Sequence, residues 1–328
     1  MLNTYPLKFK PLLKPVIWGG NKIGRLKGLV DIPENVGESW ELTGVPGHES
    51  VVVNGEYSGM SIKTLLEKFG NELVGRDVFL RYGTRFPIMV KFIDAAKDLS
   101  IQVHPNDDFA RQQHNCLGKT ELWYVMHSDN EAVLYSGFMH KVTADDFKQQ
   151  IETGTVVEHL NRFHPRKGDV FYLPAGRIHS IGAGNFIVEI QQSSDVTYRV
   201  YYFDRIDKDG KKRELHTDLA MQSIEFGEYD DYKCHLEMDC EGIAEIKRCD
   251  KFVSMFVRLE HPMQMAVKAA GSFKILICLS GKMMITSNNG AKETLAQCET
   301  VLLPYAMDSV RMEPLGNAPV ELISVTVE

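Results

Sequence analysis

The first twenty residues lack an apolar run long enough for a secretory leader or a membrane span. The opening MLNTYPLKFKPLLKPVIWGG instead scatters Lys8, Lys10 and Lys14 among prolines. No Lys/Arg-rich run stands out, and the net charge of -7 argues against nucleic acid or an anionic membrane as the main partner. A small anionic ligand needs only a few local cations and stays allowed. The six cysteines, Cys116, Cys234, Cys240, Cys249, Cys278 and Cys298, contain no C-x-x-C and no pair spaced like a zinc knuckle. Free thiols are therefore expected rather than a disulfide framework, and a cytoplasmic location with them. Low-complexity segments are absent too.

What is present is ordinary globular composition, 44 % apolar and 25 % charged, in a chain long enough for one large or two moderate domains. The first thirty residues, with Pro6, Pro11, Pro15 and Gly19-Gly20, read as extended segments and turns that wrap a body. Short strands are expected over Glu38 to Leu42, Ser50 to Val53 and Pro87 to Ile93. A helix is expected from Ser61, which caps it, to Gly70, which ends it, with Ile62, Leu65, Leu66 and Phe69 on one face. Further short helices are predicted near Asp107 to His114, Thr143 to Gly154 and Thr217 to Ile224.

Strands follow thickly: Lys119 to Met126, Val170, Phe186 to Gln191, Thr197 to Tyr202, then Phe252 to Leu259, Phe273 to Leu279, Met283 to Ser287, Thr300 to Leu303 and Val320 to Val327. Many short strands between Gly, Pro and Ser turns imply a mainly β sandwich or barrel, and the helices are too few for alternating βαβ units. Asp204 to Gly210 is charged and turn-rich. An acidic stretch from Gly227 to Tyr232 marks the expected boundary between residues 1–230 and 231–328. One weak repeat aligns Gly168-Asp169-Val170-Phe171-Tyr172-Leu173-Pro174 with Cys298-Glu299-Thr300-Val301-Leu302-Leu303-Pro304, and five residues past each proline stand His179 and Ser309.

In a strand, Ser100, Gln102 and His104 share one face and Ile101 and Val103 the other. That polar face either lines a site inside a barrel or is the wet side of an edge strand. Glu121 sits in Lys119-Thr120-Glu121-Leu122-Trp123-Tyr124-Val125, a mostly buried strand, where a carboxylate needs a cation: Lys119 or a metal. Two imidazoles, a carboxylate and an amide oxygen make a borderline set suited to Zn²⁺ or another divalent first-row ion. Asp195, Thr197 and Arg199 share a face as well, so Arg199 is either paired with Asp195 or aimed at an anion.

The G-x5-P-x-G-x2-H turn at Gly168, Pro174, Gly176 and His179 resembles the second cupin motif, with Asn185 six after the histidine in place of an asparagine four after. The blocks Trp18-Gly19-Gly20, Gly37-Glu38-Ser39-Trp40-Glu41, Leu99 to Pro105, Gly118 to Tyr124 and Tyr198-Arg199-Val200-Tyr201 resemble type I mannose-6-phosphate isomerase, in its short bacterial form. Tyr202 stands where an acidic residue is expected.

The resemblance implies two cupin jelly-roll barrels, a catalytic one over residues 1–230 and a degenerate one over 231–328. It implies one Zn²⁺ per chain on Gln102, His104, Glu121 and His179, Arg199 as the catalytic arginine, and Lys119, Ser100, Trp18 and Glu38 near a sugar phosphate. The implied reaction interconverts mannose 6-phosphate and fructose 6-phosphate through a cis-enediol, with Lys119 or a water on the metal as base. A sugar-phosphate-binding cupin sensor and a cupin Fe(II) oxygenase are the alternatives. Oligomeric state is left open.

Overall fold

The computed structural model describes residues 1–328 except 204, 206–209, 211–212, 235 and 237–239. Most of the charged Asp204 to Gly210 stretch thus lies outside the described residues. Period-two alternation governs the rest, because antiparallel strands buried on both faces divide their side chains between two cores. Leu122, Tyr124 and Met126 of the strand Glu121–Ser128 enter one core, while Trp123 and Val125 enter another. Asn185–Gln192 splits the same way, Phe186, Val188 and Ile190 against Ile187.

Among the described residues there are four antiparallel sheets. A seven-stranded sheet runs in the order Lys233–Cys234, Val170–Leu173, Glu121–Ser128, Asn185–Gln192, Ile88–Asp94, Val36–Leu42, Leu12–Gly20. A five-stranded sheet orders Tyr198–Tyr201, Ile101–Val103, His179–Ile181, Leu134–Phe138, Leu160–Phe163. These two share the core that holds Trp18, Trp123 and Ile187.

In the C-terminal half, a six-stranded sheet includes Gly242–Arg248, Val253–Leu259, Lys274–Ser280, Thr300–Leu303 and Val320–Thr326, and a four-stranded sheet includes Lys282–Ser287 and Ser309–Pro314. Leu276, Cys278 and Leu322 pack between those two sheets. The largest core joins the halves: Phe92, Tyr124 and Phe186 meet Phe256, Ile277 and Ile323. Two strands also cross over. Leu7–Lys8 pairs with Thr300–Leu303, and Lys233–Cys234 pairs with Val170–Leu173.

The predicted helix caps are present. Ser61 accepts from Thr64 N at the start of Ile62–Val74, and Thr143 and Asp146 form a reciprocal capping box at Ala144–Thr153. Gly70 does not end its helix; it takes φ +36° and kinks it, and the chain turns helical again to Val74. Two expectations are corrected. Leu12–Gly20 does not wrap the body but is the edge strand of the seven-stranded sheet, where Pro15 falls at a register shift and its missing N–H costs no ladder bond. Ser50 to Val53 forms only isolated bridges, Val51 to Ser61 and Val52 to Phe9.

The repeat is real at the level of backbone hydrogen bonds. Gly168 N donates to Val125 O as Cys298 N donates to Cys278 O; Val125 N donates to Asp169 O as Cys278 N does to Glu299 O. Arg177 N to Pro174 O is matched by Met307 N to Pro304 O. Gly168 and Cys298 both adopt positive φ, at 93° and 62°. Among the described residues no helix is long and apolar enough to cross a membrane, and all six cysteines are free.

Because the large core belongs to both halves, Phe256→Ala should destabilise the whole protein by about 3–5 kcal/mol, read as a lowered midpoint in a single denaturant transition. Two separate transitions, with only one displaced, would contradict a shared core.

Candidate metal centre and active site

Three loops flank the candidate side chains, and they are tied to one another. Lys119 N donates to Pro105 O at 3.0 Å and Gly176 N to His104 O at 2.9 Å, while Ala175 N donates to Thr120 Oγ1 at 3.2 Å. Gly118 is required where two of these loops cross, since a Cβ there would lie 2.6 Å from the backbone of Asn106 and Asp107. Gly176 has φ +89°, a conformation that favours glycine in the turn leading to His179.

Ile101–Val103 is an inner strand between Tyr198–Tyr201 and His179–Ile181, so its polar face is not the wet side of an edge. Ile101 and Val103 are buried under the small helices, and Ser100 Oγ donates to Gln102 Oε1 at 3.2 Å on the opposite face. Cross-strand register brings Gln102 beside both His179 and Arg199.

His104, Glu121 and His179 are all buried, and one ligand atom of each lies within 4.8 Å of the others. No other His/Cys/Asp/Glu group of this kind occurs among the described residues. The imidazoles are oriented from behind: His104 Nδ1 donates to Val196 O at 3.0 Å, and His179 Nδ1 to Arg177 O at 2.8 Å. Each Nε2 therefore turns a lone pair toward the centre. His179 Nε2 lies 3.2 Å from Glu121 Oε1 and His104 Nε2 lies 3.5 Å from Glu121 Oε2.

Burial, above all, pushes His179 down to about 4 and His104 well below its ordinary value, so neither carries a proton to place between these acceptors at neutral pH. Burial and the nearby Glu189 push Glu121 up to about 8. Neither Glu121 oxygen accepts a hydrogen bond of good geometry, although Lys119 Nζ stands 3.3 Å from Oε2 and 3.1 Å from His104 Nε2. The lysine alternative is thus met on one oxygen only. Without a cation the carboxyl thus holds a proton at neutral pH; the facing imidazole lone pairs and the carboxylate that ionisation would give fit a divalent cation. Gln102 stands beside the triad, its Nε2 3.3 Å from His179 Nε2.

Above this centre lies a cavity of about 160 Å³ lined by Trp18, Glu38, Ser100, Gln102, Lys119 and Arg199, which brings every other residue singled out from the sequence to one place. Asp195 and Thr197 line it beside Arg199, as their alternation predicts. No ion pair joins Arg199 to Asp195, and Arg199 Nε is buried without a partner. The backbone of Arg199 is gripped by His216, whose N donates to Arg199 O at 2.8 Å and whose Nδ1 accepts from Arg199 N at 3.3 Å.

Sequence reasoning passed over Lys91, Glu189 and Arg213, which also line the cavity. Lys91 Nζ sits 3.2 Å from Glu189 Oε1 and 3.8 Å from Glu38 Oε2. Against a burial cost, these carboxylates hold the lysine above its ordinary value, and Lys91 and Lys119 hold Glu189 at about 2 despite its burial. A signal was available: Lys91 is the one charge within Pro87 to Ile93, and Glu189 the one charge within Phe186 to Gln191. Asn185, the displaced asparagine, is fully buried and donates to Val133 O and Gly182 O.

Fold and site together define a mainly antiparallel β protein with a buried His–Glu–His centre under a polar, cation-lined cavity. Residues 7–120 match the family model for the type I phosphomannose isomerase catalytic domain. The chain is 40% identical over 225 residues to the mannose-6-phosphate isomerase ManA of Bacillus subtilis (strain 168), covering 68% of this chain and 69% of that one. It is 39% identical over 223 residues to the mannose-6-phosphate isomerase of Streptococcus mutans, covering 68% of each. The crystal structure of the mannose 6-phosphate isomerase from Bacillus subtilis superposes with a TM-score of 0.88 at 28% identity, over 99% of this chain and 100% of that one. A phosphomannose isomerase variant from Salmonella typhimurium shares the fold, with a TM-score of 0.79 at 15% identity over 98% and 99% of the two chains. The chain belongs to the type I phosphomannose isomerase family.

If the centre takes a divalent cation, metal-stripped protein should gain about 4 kcal/mol of stability at a thousandfold excess of Zn²⁺ over its Kd, read as a raised melting temperature. Glu121→Gln should lose most of that gain while remaining folded without metal, since the amide has nearly the shape of the carboxyl group and removes only the anionic ligand. Equal stabilisation of both proteins would place the ion elsewhere.

Proposed function

We propose that this protein is a zinc-dependent aldose–ketose isomerase that interconverts mannose 6-phosphate and fructose 6-phosphate, with one ion per chain on Gln102, His104, Glu121 and His179. The observation that carries this reading is the convergence of Trp18, Glu38, Ser100, Lys119 and Arg199 on one cavity that also reaches the ligand Gln102. The ion, when bound, supplies Lewis acidity for the sugar carbonyl and its neighbouring hydroxyl.

The chain's own residues do the rest. Arg199 lines the cavity and keeps its charge at any working pH, which suits it to stabilise negative charge developing on the cis-enediol oxygens. Lys119, which lines the cavity, is one candidate to carry the proton between C2 and C1, and a water at the ion is the other. Lys91 and Glu189 are unsuited to that task, because each holds the other in its charged form. Ser100 and Glu38 offer hydrogen bonds to sugar hydroxyls, Trp18 an apolar wall, and Arg213 a further cation for the phosphate.

The two halves are read as cupin jelly-roll barrels, residues 1–230 and 231–328, with the second degenerate. The duplicated turn supports this, since Ser309 begins its strand where His179 begins the equivalent one. Free thiols support a cytoplasmic enzyme. Nothing at the site favours the sensor or the oxygenase.

In a coupled assay with mannose 6-phosphate, chelator-treated protein should be inactive and recover with Zn²⁺; full activity without metal would contradict the proposal. Arg199→Ala should keep one equivalent of zinc by elemental analysis and lose about 10²–10³ in kcat. Normal turnover in that variant would return Arg199 to a structural role.

A further inference from the structure

The carbonyl that orients His179 belongs to Arg177, whose side chain is held by residues remote from the site. Arg177 is 2 % exposed, so its guanidinium needs compensation, which reaches both Nη atoms while Nε is left without a hydrogen bond. Nη1 donates to Tyr172 O at 2.9 Å and Nη2 to Asp231 Oδ1 at 2.8 Å. The guanidinium carbon lies 4.2 Å from the Tyr229 ring centroid and 5.0 Å from that of Tyr232, within cation–π range of both.

Carboxylate and ring faces come from one short segment, 229–232, where the chain leaves its first half. That segment is braced from the other half of the molecule. Lys247, on the strand Gly242–Arg248 of the six-stranded sheet, reaches Asp231 Oδ2 at 3.5 Å and lies 4.2 Å over the Tyr172 ring.

The main chain is fixed on either side of Arg177, by Arg177 N donating to Pro174 O at 3.1 Å and Gly137 N donating to Ile178 O at 2.8 Å. The anchored guanidinium adds a further hold on the residue whose carbonyl His179 Nδ1 meets.

We propose that Arg177 is a positioning residue for His179, and that the cage of Tyr229, Asp231 and Tyr232, braced by Lys247, carries the hold of the C-terminal sheet to the metal centre. The inference rests on the cation reading of His104, Glu121 and His179. Partners that orient a ligand histidine typically set metal affinity by 10–100-fold. The degenerate half thus has a task at the site although it supplies no ligand.

The test uses full-length protein stripped of metal and titrated with Co²⁺, whose visible absorption reports its ligand geometry. Asp231, about half exposed, is changed to Asn, and Tyr229 to Ala and to Phe. Asp231→Asn and Tyr229→Ala should weaken Co²⁺ binding about tenfold and shift the absorption, while the metal-free variants melt within about 3 °C of metal-free wild type. Tyr229→Phe, which keeps the ring face, should restore wild-type affinity and spectrum. Unchanged affinity and spectrum in both disruptive variants would overturn the proposal. So would a loss of affinity with a matching drop in metal-free melting temperature, which would make the cage a general support. Wild-type protein that takes up no Co²⁺ overturns the cation reading itself and this inference with it.

Discussion

A buried carboxyl group without a well-aligned donor is costly to ionise, and Glu121 is such a group, pushed up to about 8 by its burial and by Glu189. It faces two imidazoles whose protons are committed to backbone carbonyls behind them. Three sets of lone pairs thus point at one place, and Lys119 balances only part of the charge. Removing the charge would relieve the interior; retaining it makes sense if a cation belongs there. The loops before, after and opposite Glu121 share direct hydrogen bonds, so the geometry of the centre and the packing of the sheet ends are one arrangement.

Around that centre the charges are sorted by depth. Lys91 and Glu189 form a buried pair that neutralises itself, with Glu38 alongside and Trp123 donating to Glu189 Oε2 at 2.9 Å. Such a pair fixes side chains and leaves little net charge. Arg199 differs: cross-strand register holds it next to Gln102, His216 grips its backbone, and its guanidinium retains an unpartnered nitrogen. In the proposed reaction Arg199 supplies positive charge for the developing enediolate, while the self-neutralised pair helps to line the cavity.

Much of this was legible in the sequence because it is local. Alternation put Ser100, Gln102 and His104 on one face and Asp195, Thr197 and Arg199 on another, and caps at Ser61 and Thr143 follow from single side chains. Which face turned inward was not local. It depended on Ile101–Val103 lying between two other strands, a pairing set across gaps of about eighty and a hundred residues. Lys91 and Glu189 were missed for a related reason: each looks like an isolated charge until the register pairs them directly across adjacent strands. The prolines of the first segment suggested a wrapping arm, yet an edge strand tolerates Pro15 because one of its sides has no partner to satisfy. The cage around Arg177 has no signature at all in sequence spacing, since it joins residues 172, 177, 229–232 and 247.

The central claim, that Glu121 with His104 and His179 holds a cation, is tested most directly by anomalous diffraction at the zinc edge from crystals grown with Zn²⁺. One peak at about 2.0–2.2 Å from both Nε2 atoms and a Glu121 oxygen, with Gln102 beside it, is the expected result. Crystals with no peak there, and with Lys119 Nζ still against Glu121 and His104 at full zinc, would contradict the account.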